Sequence, residues 1–356
     1  MKVFMKIIFC AAVFLSIFTF GGCTARDGYG DKSLKIPAHS DVMVIENKNN
    51  GGNIFDIKGD RLIKEKTSGN NILDLAYNVQ KSVYVYLVNE GGTEKNGSRI
   101  VILHRGVKSE IKDFFAAKDI KMSPGGDKIA CRVYENSSLG SAQGMKVYGL
   151  ESKKYIKLKS KVLVSGNLYQ WLDDHRIIYY GSMEGKKNSD AIYLYDFNKD
   201  REQVYLSDMG GYCTYFAAAG SNLLILLQNG SESNLYYYNH KTGKFQFLSD
   251  EIGQIYVSAA DSKNKCIFFI GKDEGNADSV YKFSQEEIEV SRITYDFPKD
   301  VSRYGGIVQG KNGKVYFAGT GGAENGQDVF MYDPSDGSVN IISDHEGIYN
   351  IYFGRN

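Results

Sequence analysis

The feature that most constrains the fold is a hairpin-like unit that recurs along the chain. Residues 234–250 (NLYYYNHKTGKFQFLSD) contain two runs of aromatic and β-branched residues joined by a polar turn at Gly243, a pattern typical of a β-hairpin. Residues 192–208 and 329–344 have the same design. The hairpin is therefore part of a repeated unit, and this unit determines the architecture.

Two sequence markers recur in step from residue 41 onward. One is an apolar or aromatic residue before each hairpin turn, at Phe55, Leu103, Tyr148, Tyr195, Tyr238, Phe283 and Tyr332. The other is an apolar strand after a polar turn, opening at Val83, Ile129, Ile177, Leu223, Cys266 and Val315. Both keep a period of about 46 residues, and a period of roughly 40 to 50 with four strands per unit indicates a β-propeller.

The two ends of the repeated region carry incomplete units. Residues 42–66 contain three strands, and residues 348–353 contain one. Joining them completes a unit and leaves no open sheet edge in the ring. We therefore expect an all-β fold over residues 41–356: a seven-bladed propeller of four-stranded antiparallel blades. Its C-terminal strand is expected to join the three N-terminal strands.

One turn of the repeat resembles a known family. Residues 123–130, SPGGDKIA, resemble the S-P-D-G-K-x-I-A turn of WD40-like propeller repeats, and residues 171–179, WLDDHRIIY, are a weaker copy. Such repeats occur in the Tol-system propeller protein and in the propeller domains of prolyl peptidases. The resemblance implies the fold and says little about function, because propellers include enzymes, receptors and scaffolds.

The N-terminal segment is predicted to be an export signal. Within residues 1–22, Lys2 and Lys6 precede an almost wholly apolar run. A membrane-spanning helix needs about 20 apolar residues, and this run is shorter. Residues 20–23, FGGC, resemble the lipobox of bacterial lipoproteins, which implies cleavage before Cys23 and lipid attachment to it. A soluble secreted protein and an uncleaved anchor are the alternatives.

Residues 23–40 then form the lipidated cysteine and a flexible polar tether of roughly 20 to 25 Å reach. The expected location is the extracytoplasmic side of a bacterial cell membrane, with the lipid on Cys23 as the membrane contact.

Composition and motifs exclude several classes of function. The 43 Lys and Arg residues balance 42 Asp and Glu residues, so no global field favours nucleic acid as a partner. No histidine pair has metal-ligand spacing, and no metal or cofactor is expected. The G-x-S-x-G elbow of prolyl peptidases is missing from the sequence, so that activity is excluded. The Asp173-Asp174-His175 run aligns with turns of other repeats and is interpreted as a turn.

The strand cysteines also have a structural interpretation. Cys131, Cys213 and Cys266 lie in three different repeats, which favours small buried hydrophobic side chains over a disulfide framework.

Tyrosines near the start of each innermost strand are the candidate ligand face. They are Tyr169, Tyr212, Tyr215, Tyr256, Tyr304 and Tyr349. Packing between blades is the alternative interpretation of these rings. Long loops between the second and third strands differ from blade to blade, as in a recognition surface on a regular scaffold.

The leading hypothesis is a monomeric, non-catalytic binding protein for a protein, peptide or glycan at the channel mouth and these loops. One alternative is a glycan-active lyase or hydrolase that uses carboxylates at the mouth. The other is an envelope assembly scaffold.

Overall fold

The computed structural model describes residues 41–49, 51–89, 97–261, 266–273, 275, 277–321 and 326–355. These residues belong to one structural unit, Lys35–Asn356. Among them, no helix has the length and apolar character needed to cross a membrane. The predicted export signal, Cys23 and the tether lie outside the described residues.

The described chain is built of strands. The first eleven are β1 (Val42–Lys48), β2 (Gly51–Lys58), β3 (Arg61–Ser68), β4 (Ile72–Asn78), β5 (Val83–Asn89), β6 (Ser98–His104), β7 (Val107–Ile111), β8 (Ala116–Met122), β9 (Lys128–Tyr134), β10 (Ala142–Gly149) and β11 (Lys154–Ile156). A single 3₁₀ turn, Leu139–Ser141, precedes β10.

The remaining strands follow in the same repeating order. They are β12 (Val162–Trp171), β13 (Arg176–Met183), β14 (Ala191–Asp196), β15 (Arg201–Leu206), β16 (Tyr212–Ala219), β17 (Asn222–Asn229), β18 (Glu232–Asn239), β19 (Lys244–Ser249), β20 (Ile252–Asp261), β21 (Cys266–Asp273), β22 (Ser279–Ser284), β23 (Glu289–Arg292), β24 (Asp300–Val301), β25 (Ile307–Gln309), β26 (Val315–Thr320), β27 (Asp328–Asp333), β28 (Ser338–Ile341) and β29 (Tyr349–Arg355).

Burial along each strand depends on its place in the sheet. The second strands are buried along most of their length, because neighbouring sheets cover both of their faces. β5 (VYVYLVN) is buried except at its last residue, and β17 (NLLILLQN) is buried over residues 223–227. An outer strand such as β15 (REQVYL) is mostly exposed or half-buried. Continuous apolar runs therefore mark the middle of each sheet.

Neighbouring strands pair antiparallel, except for β29 with β4, and the sheets meander outward from the axis. Four sheets have four strands each, in the orders β11-β10-β9-β8, β12-β13-β14-β15, β16-β17-β18-β19 and β20-β21-β22-β23. A fifth sheet has five strands in the order β24-β26-β27-β28, and β25 also pairs with β26. The remaining strands form one eight-stranded sheet, β3-β2-β1-β29-β4-β5-β6-β7.

The prediction of seven four-stranded blades is wrong. Five sheets form separate blades, and the strands assigned to two further blades form one continuous sheet. This continuity arises at β29, which pairs antiparallel with β1 and also pairs in parallel with β4 at Gly354↔Tyr77 and Arg355↔Asn78. The second pairing requires a close approach, because a Cβ on Gly354 would lie 2.2 Å from the Tyr77 ring. Glycine at this position lets the two backbones meet.

The sheets form a ring, which confirms the predicted all-β propeller architecture. Contacts run from β4 to β8, β12, β16, β20, β25, β29 and back to β4, so one strand of each group faces the axis. The hydrophobic clusters lie between neighbouring sheets. One of them joins Val85 and Ile102 to Ile129 and Val133. The core is thus divided into layers between sheets.

Polar contacts also join neighbouring sheets at equivalent positions. The amide of Ile120 donates to Asp74 Oδ2 (3.0 Å), and Asn78 Nδ2 donates to the carbonyl of Pro124 (2.9 Å), each across 46 residues of sequence. Lys121 Nζ donates to the carbonyl of Asn167 (3.1 Å) across the same separation. The sequence period therefore reappears as a repeated joint between sheets.

Candidate binding site at the axial channel

The inner strands enclose a channel with a volume of about 520 Å³. Its walls come from β4, β8, β12, β16, β20, β25 and β29, together with the segment before β25. Pockets of roughly 300 to 1,000 Å³ accommodate small ligands, so this space suits a small molecule or a short chain segment.

An interruption of one inner strand forms part of the channel mouth. β24 pairs with Thr320 and Gly319, β25 pairs with residues 315–317, and residues 302–306 between them leave the ladder. Gly306 has a φ of +79°, and a Cβ there would lie 2.8 Å from the Ile351 carbonyl oxygen. Because few side chains tolerate that conformation, glycine is needed for this excursion.

The excursion carries Arg303 and Tyr304 to the mouth. The Arg303 guanidinium carbon lies 4.9 Å from the centre of the Tyr256 ring and 5.7 Å from that of Tyr304. Arg303 Nε lies 3.2 Å from Oδ2 of the buried Asp278, which anchors the guanidinium. Tyr304 is 83% exposed. We call Tyr256, Arg303 and Tyr304 the mouth cluster: two aromatic rings joined by a cation.

Four of the six tyrosines predicted as a ligand face line the channel: Tyr169, Tyr215, Tyr256 and Tyr304. Tyr215 Oη pairs with Ser258 Oγ at 2.7 Å, so its hydroxyl links two inner strands. Burial raises the pKa of Tyr215 to about 12, which keeps this phenol neutral at physiological pH.

The other two predicted tyrosines do not line the channel. Tyr349 is buried and donates from Oη to the carbonyl of His345 (2.7 Å). Tyr212 is half exposed, with its Oη 3.3 Å from Ser165 Oγ and its ring edge-on to Tyr180.

Tyr169 occupies a different place in its strand from the one expected. β12 begins at Val162, and its pairing with β13 is interrupted between Val164 and Tyr169, so Tyr169 lies near the end of the strand. It is buried, and its Oη donates to the carbonyl of Asp119 (2.6 Å). Because the bulge interrupts the alternation of inward and outward residues, the sequence pattern does not reveal that the strand begins before it.

Four further charged side chains that the sequence did not single out also line the channel: Asp74, Asp119, Lys121 and Arg355. Burial raises the pKa of Asp74 to about 6 and lowers that of Lys121 to about 8. Lys121 Nζ donates to the carbonyl of Tyr169 (2.8 Å) and lies 4.9 Å from the centre of its ring. Within the described residues, the Arg355 guanidinium forms no hydrogen bond or ion pair, and burial lowers its pKa.

The channel carboxylates already have partners. Asp74 accepts the amides of Leu75 (2.8 Å) and Ile120 (3.0 Å), one on each oxygen. Asp119 Oδ2 lies 2.7 Å from Arg132 Nη2. Across the part of the chain that the structure describes, no three His, Cys, Asp or Glu side chains converge as a metal site.

The strand cysteines form no disulfide. Cys131 and Cys213 are buried and Cys266 is half-buried. Burial raises the pKa of the Cys131 and Cys213 thiols to about 12, so neither is ionised at neutral pH.

The ring of antiparallel sheets around an open channel defines this chain as a β-propeller. Comparison with known proteins supports this fold but assigns the chain to no family. No model of a protein family matches the sequence, and no curated protein matches it.

Several solved propeller structures are similar. The β-propeller domain of the Trilobed protease from Pyrococcus furiosus is 16% identical, with a TM-score of 0.55 over 78% of this chain and 86% of that chain. The acylaminoacyl peptidase of Pyrococcus horikoshii is 18% identical, with a TM-score of 0.53 over 78% of this chain and 46% of that chain. TolB from Acinetobacter baumannii is 13% identical over 89% of this chain and 87% of that chain, with a TM-score of 0.46.

These identities show the fold alone. The match spans less than half of the acylaminoacyl peptidase chain. The predicted similarity to propeller domains of peptidases is confirmed for architecture. The predicted lipid attachment stays a prediction.

Proposed function

We propose that this protein is a non-catalytic, membrane-anchored extracytoplasmic propeller that binds a protein, peptide or glycan at its channel mouth. The observation that carries the proposal is the mouth cluster, in which Arg303 bridges Tyr256 and the exposed Tyr304 beside an open channel. Aromatic faces and a guanidinium together bind sugar rings, planar side chains and peptide groups.

The site needs little rearrangement to accept a ligand. Asp278 and Tyr256 already hold Arg303, so fixing its side chain adds little entropic cost on binding. Tyr304 presents its ring to solvent and contributes area that a partner buries.

The glycan lyase or hydrolase alternative has less support. General acid or base catalysis requires a carboxyl group within reach of the substrate. Asp74 and Asp119 are instead occupied by backbone amides and by Arg132. The second alternative, an envelope assembly scaffold, would use the same site to bind a protein partner.

Pull-down from crosslinked intact membranes tests the proposal. We expect Tyr304→Ala combined with Arg303→Ala to reduce partner capture by about tenfold or more, since interface hot spots are enriched in Tyr and Arg. The control is Phe247→Ala, a half-exposed residue on the outer strand β19. If the native protein, the Arg303 and Tyr304 double variant and the Phe247→Ala control capture the partner equally, and their thermal unfolding is unchanged, the proposed site is contradicted. Recovered proteins or glycans identify the ligand class.

The membrane anchor is tested separately. We expect Cys23→Ser to abolish incorporation of a radiolabelled fatty acid and to remove the protein from the membrane fraction. A variant that remains lipid-labelled contradicts attachment at Cys23.

A further inference from the structure

A second cavity, with a volume of about 920 Å³, opens between two neighbouring blades, away from the axial channel. Its walls are β9, β10 and β11 on one side and the beginning of β12 on the other. The apolar lining includes Val133, Met145, Leu158 and Val164. We call this cavity the inter-blade groove.

One wall of the groove is an uncovered strand edge. β11 has only three residues and pairs with Val147, Tyr148 and Gly149 at the end of β10. The first part of β10 pairs with β9 at Ala142, Met145 and Lys146, with a bulge at residues 143–144, and no strand among the described residues lies on its other side. A sheet edge of this kind is a template for an additional strand.

Two other blades with a short outer strand cover the corresponding edge with the chain that follows it. The amide of Ile293, after β23, donates to the carbonyl of Val280 (2.8 Å), and the amide of Ile342, after β28, donates to that of Val329 (2.9 Å). After β11 the chain instead turns to the next blade, where the amide of Lys159 donates to Tyr195 Oη (3.1 Å). The edge of β10 is left open by this turn.

The backbone of Met145 faces the open edge. The amide of Lys153 donates to the carbonyl of Gly149 (2.9 Å) across the hairpin, so the polar groups of Gly149 point toward β11. The backbone N–H and C=O groups of successive residues point to opposite sides of a strand, so those of Val147 and Met145 point to the same side as those of Gly149. On the β11 side, Val147 is paired with Ile156, whereas Met145 has no strand partner there among the described residues.

The charged side chains that line the groove are three cations and one carboxylate, so positive charge predominates. Arg132 is paired with Asp119 (2.7 Å), and Asp113 accepts the Tyr155 hydroxyl (2.8 Å). Lys146 and Lys157 line the groove, and neither forms an ion pair with any described residue. An occupant with acidic side chains complements these two ammonium groups.

We propose that the inter-blade groove binds an extended acidic peptide segment, which adds as a strand along residues 142–146 of β10. Main-chain hydrogen bonds to this edge provide affinity. Apolar side chains of the segment contact Met145 and Val164, and its acidic side chains contact Lys146 and Lys157. This proposal is independent of the mouth cluster.

Isothermal titration calorimetry with synthetic probes tests it. The first probe is a capped peptide of about seven residues, a typical strand length, that alternates Glu and Val. The second has Lys in place of Glu. The third is the acidic peptide methylated on alternate backbone nitrogens, which removes strand hydrogen bonds without changing its charge. Two protein variants accompany them: Lys146→Glu with Lys157→Glu, and the control Lys241→Glu with Lys244→Glu, which changes net charge equally on another blade.

We expect only the unmethylated acidic peptide to bind. Charge reversal at Lys146 and Lys157 should weaken it by about tenfold or more, whereas the control pair changes affinity by less than about twofold, because long-range effects are screened. The proposal is overturned if the acidic peptide does not bind, if the methylated peptide binds equally well, or if both protein variants weaken binding alike.

Discussion

At the scale of single residues, the channel holds charged groups in surroundings that disfavour charge. Asp74 and Lys121 are half-buried, with access to the channel on one side and protein around the rest. Each is held by the backbone of the next blade, Asp74 through the Ile120 amide and Lys121 through two carbonyls of β12. Both therefore act as joints between blades as well as channel-lining groups.

Asp74 gives the stability of the fold a specific pH dependence. Burial raises the pKa of its carboxyl from 3.8 to about 6. The folded protein therefore binds this proton at a higher pH than the unfolded chain, and protonation stabilises the fold as pH falls from about 6 to about 4. We expect Asp74→Asn to lack this contribution. Urea unfolding over this interval should show the free energy of unfolding of the native protein rising relative to that of the variant.

The quantity compared is the change in unfolding free energy with pH, so any pH-independent destabilisation caused by Asp74→Asn cancels. A difference in unfolding free energy between native protein and variant that stays constant from about pH 6 to about pH 4 would contradict the raised pKa.

At the residue level, the sequence drew attention to recurring tyrosines but to none of the charged side chains of the channel, because a repeated residue type is visible in a repeat and a single charged residue is not. Tyr304 is marked by its place before an inner strand, and the structure puts it in the channel lining. Arg303 was missed because its role depends on Asp278 and Tyr256, which belong to earlier parts of the chain. Arg355 was missed because a charge at the end of a strand usually faces solvent.

At the scale of elements, most inner strands are irregular where they pair with the second strand of their blade. Register shifts also occur between outer strands, as at β2 with β3, β14 with β15 and β18 with β19. Pairing shifts interrupt β4, β8, β12, β16 and β20 against their neighbours. A bulge bends a strand and redirects its side chains, so these irregularities decide which residues face the channel. Asp119, in the bulge of β8, even takes a positive φ of +58°.

This irregularity explains which elements the sequence predicts well. The second strands begin within one residue of the six expected positions, because their apolar runs are continuous and their turns are short. The start of β12 was misplaced, since four residues leave the ladder between Val164 and Tyr169. The parallel pairing of β29 with β4 was missed, since it depends on a close contact between Gly354 and Tyr77.

The joint between β29 and β4 should be sensitive to a single methyl group. We expect Gly354→Ala to lower the free energy of unfolding by about 1 to 3 kcal/mol, the usual cost of overpacking. The Tyr77 ring cannot move away easily because it is buried and stacked on Tyr84 with ring centres 5.8 Å apart. Chemical denaturation measures the loss.

Gly69→Ala is the matched control for this substitution. A Cβ at Gly69 meets no atom within 4 Å, so its effect should stay within about 0.5 kcal/mol. Equal effects of the two substitutions would show that the joint tolerates the added methyl group.

At the scale of the whole molecule, the repeated joints make a closed ring that positions diverse surface features. Hydrogen bonds across 46 residues connect equivalent positions in successive blades. Hydrophobic clusters between sheets support these joints. Such a ring can vary one inner strand, as at residues 302–306, or shorten one outer strand, as at β11, without loss of the fold.

Architecture was the part of the molecule that sequence predicted best, since a period in residues becomes a period in space. The number of separate blades was not predictable, because a parallel pairing of only two residue pairs merges two groups of strands. Function is still less accessible from sequence, because the mouth cluster and the groove combine residues from different blades.

The most direct test of the mouth cluster is site-specific photocrosslinking in cells that make the full chain. A benzophenone amino acid replaces Tyr304 in one variant and Phe247, on the outer strand β19, in the other. Both positions are exposed, so either probe can react with a nearby molecule. We expect a discrete crosslinked product from position 304 and none from position 247. Crosslinking from position 247 alone, or from neither position, would contradict a binding site at the channel mouth.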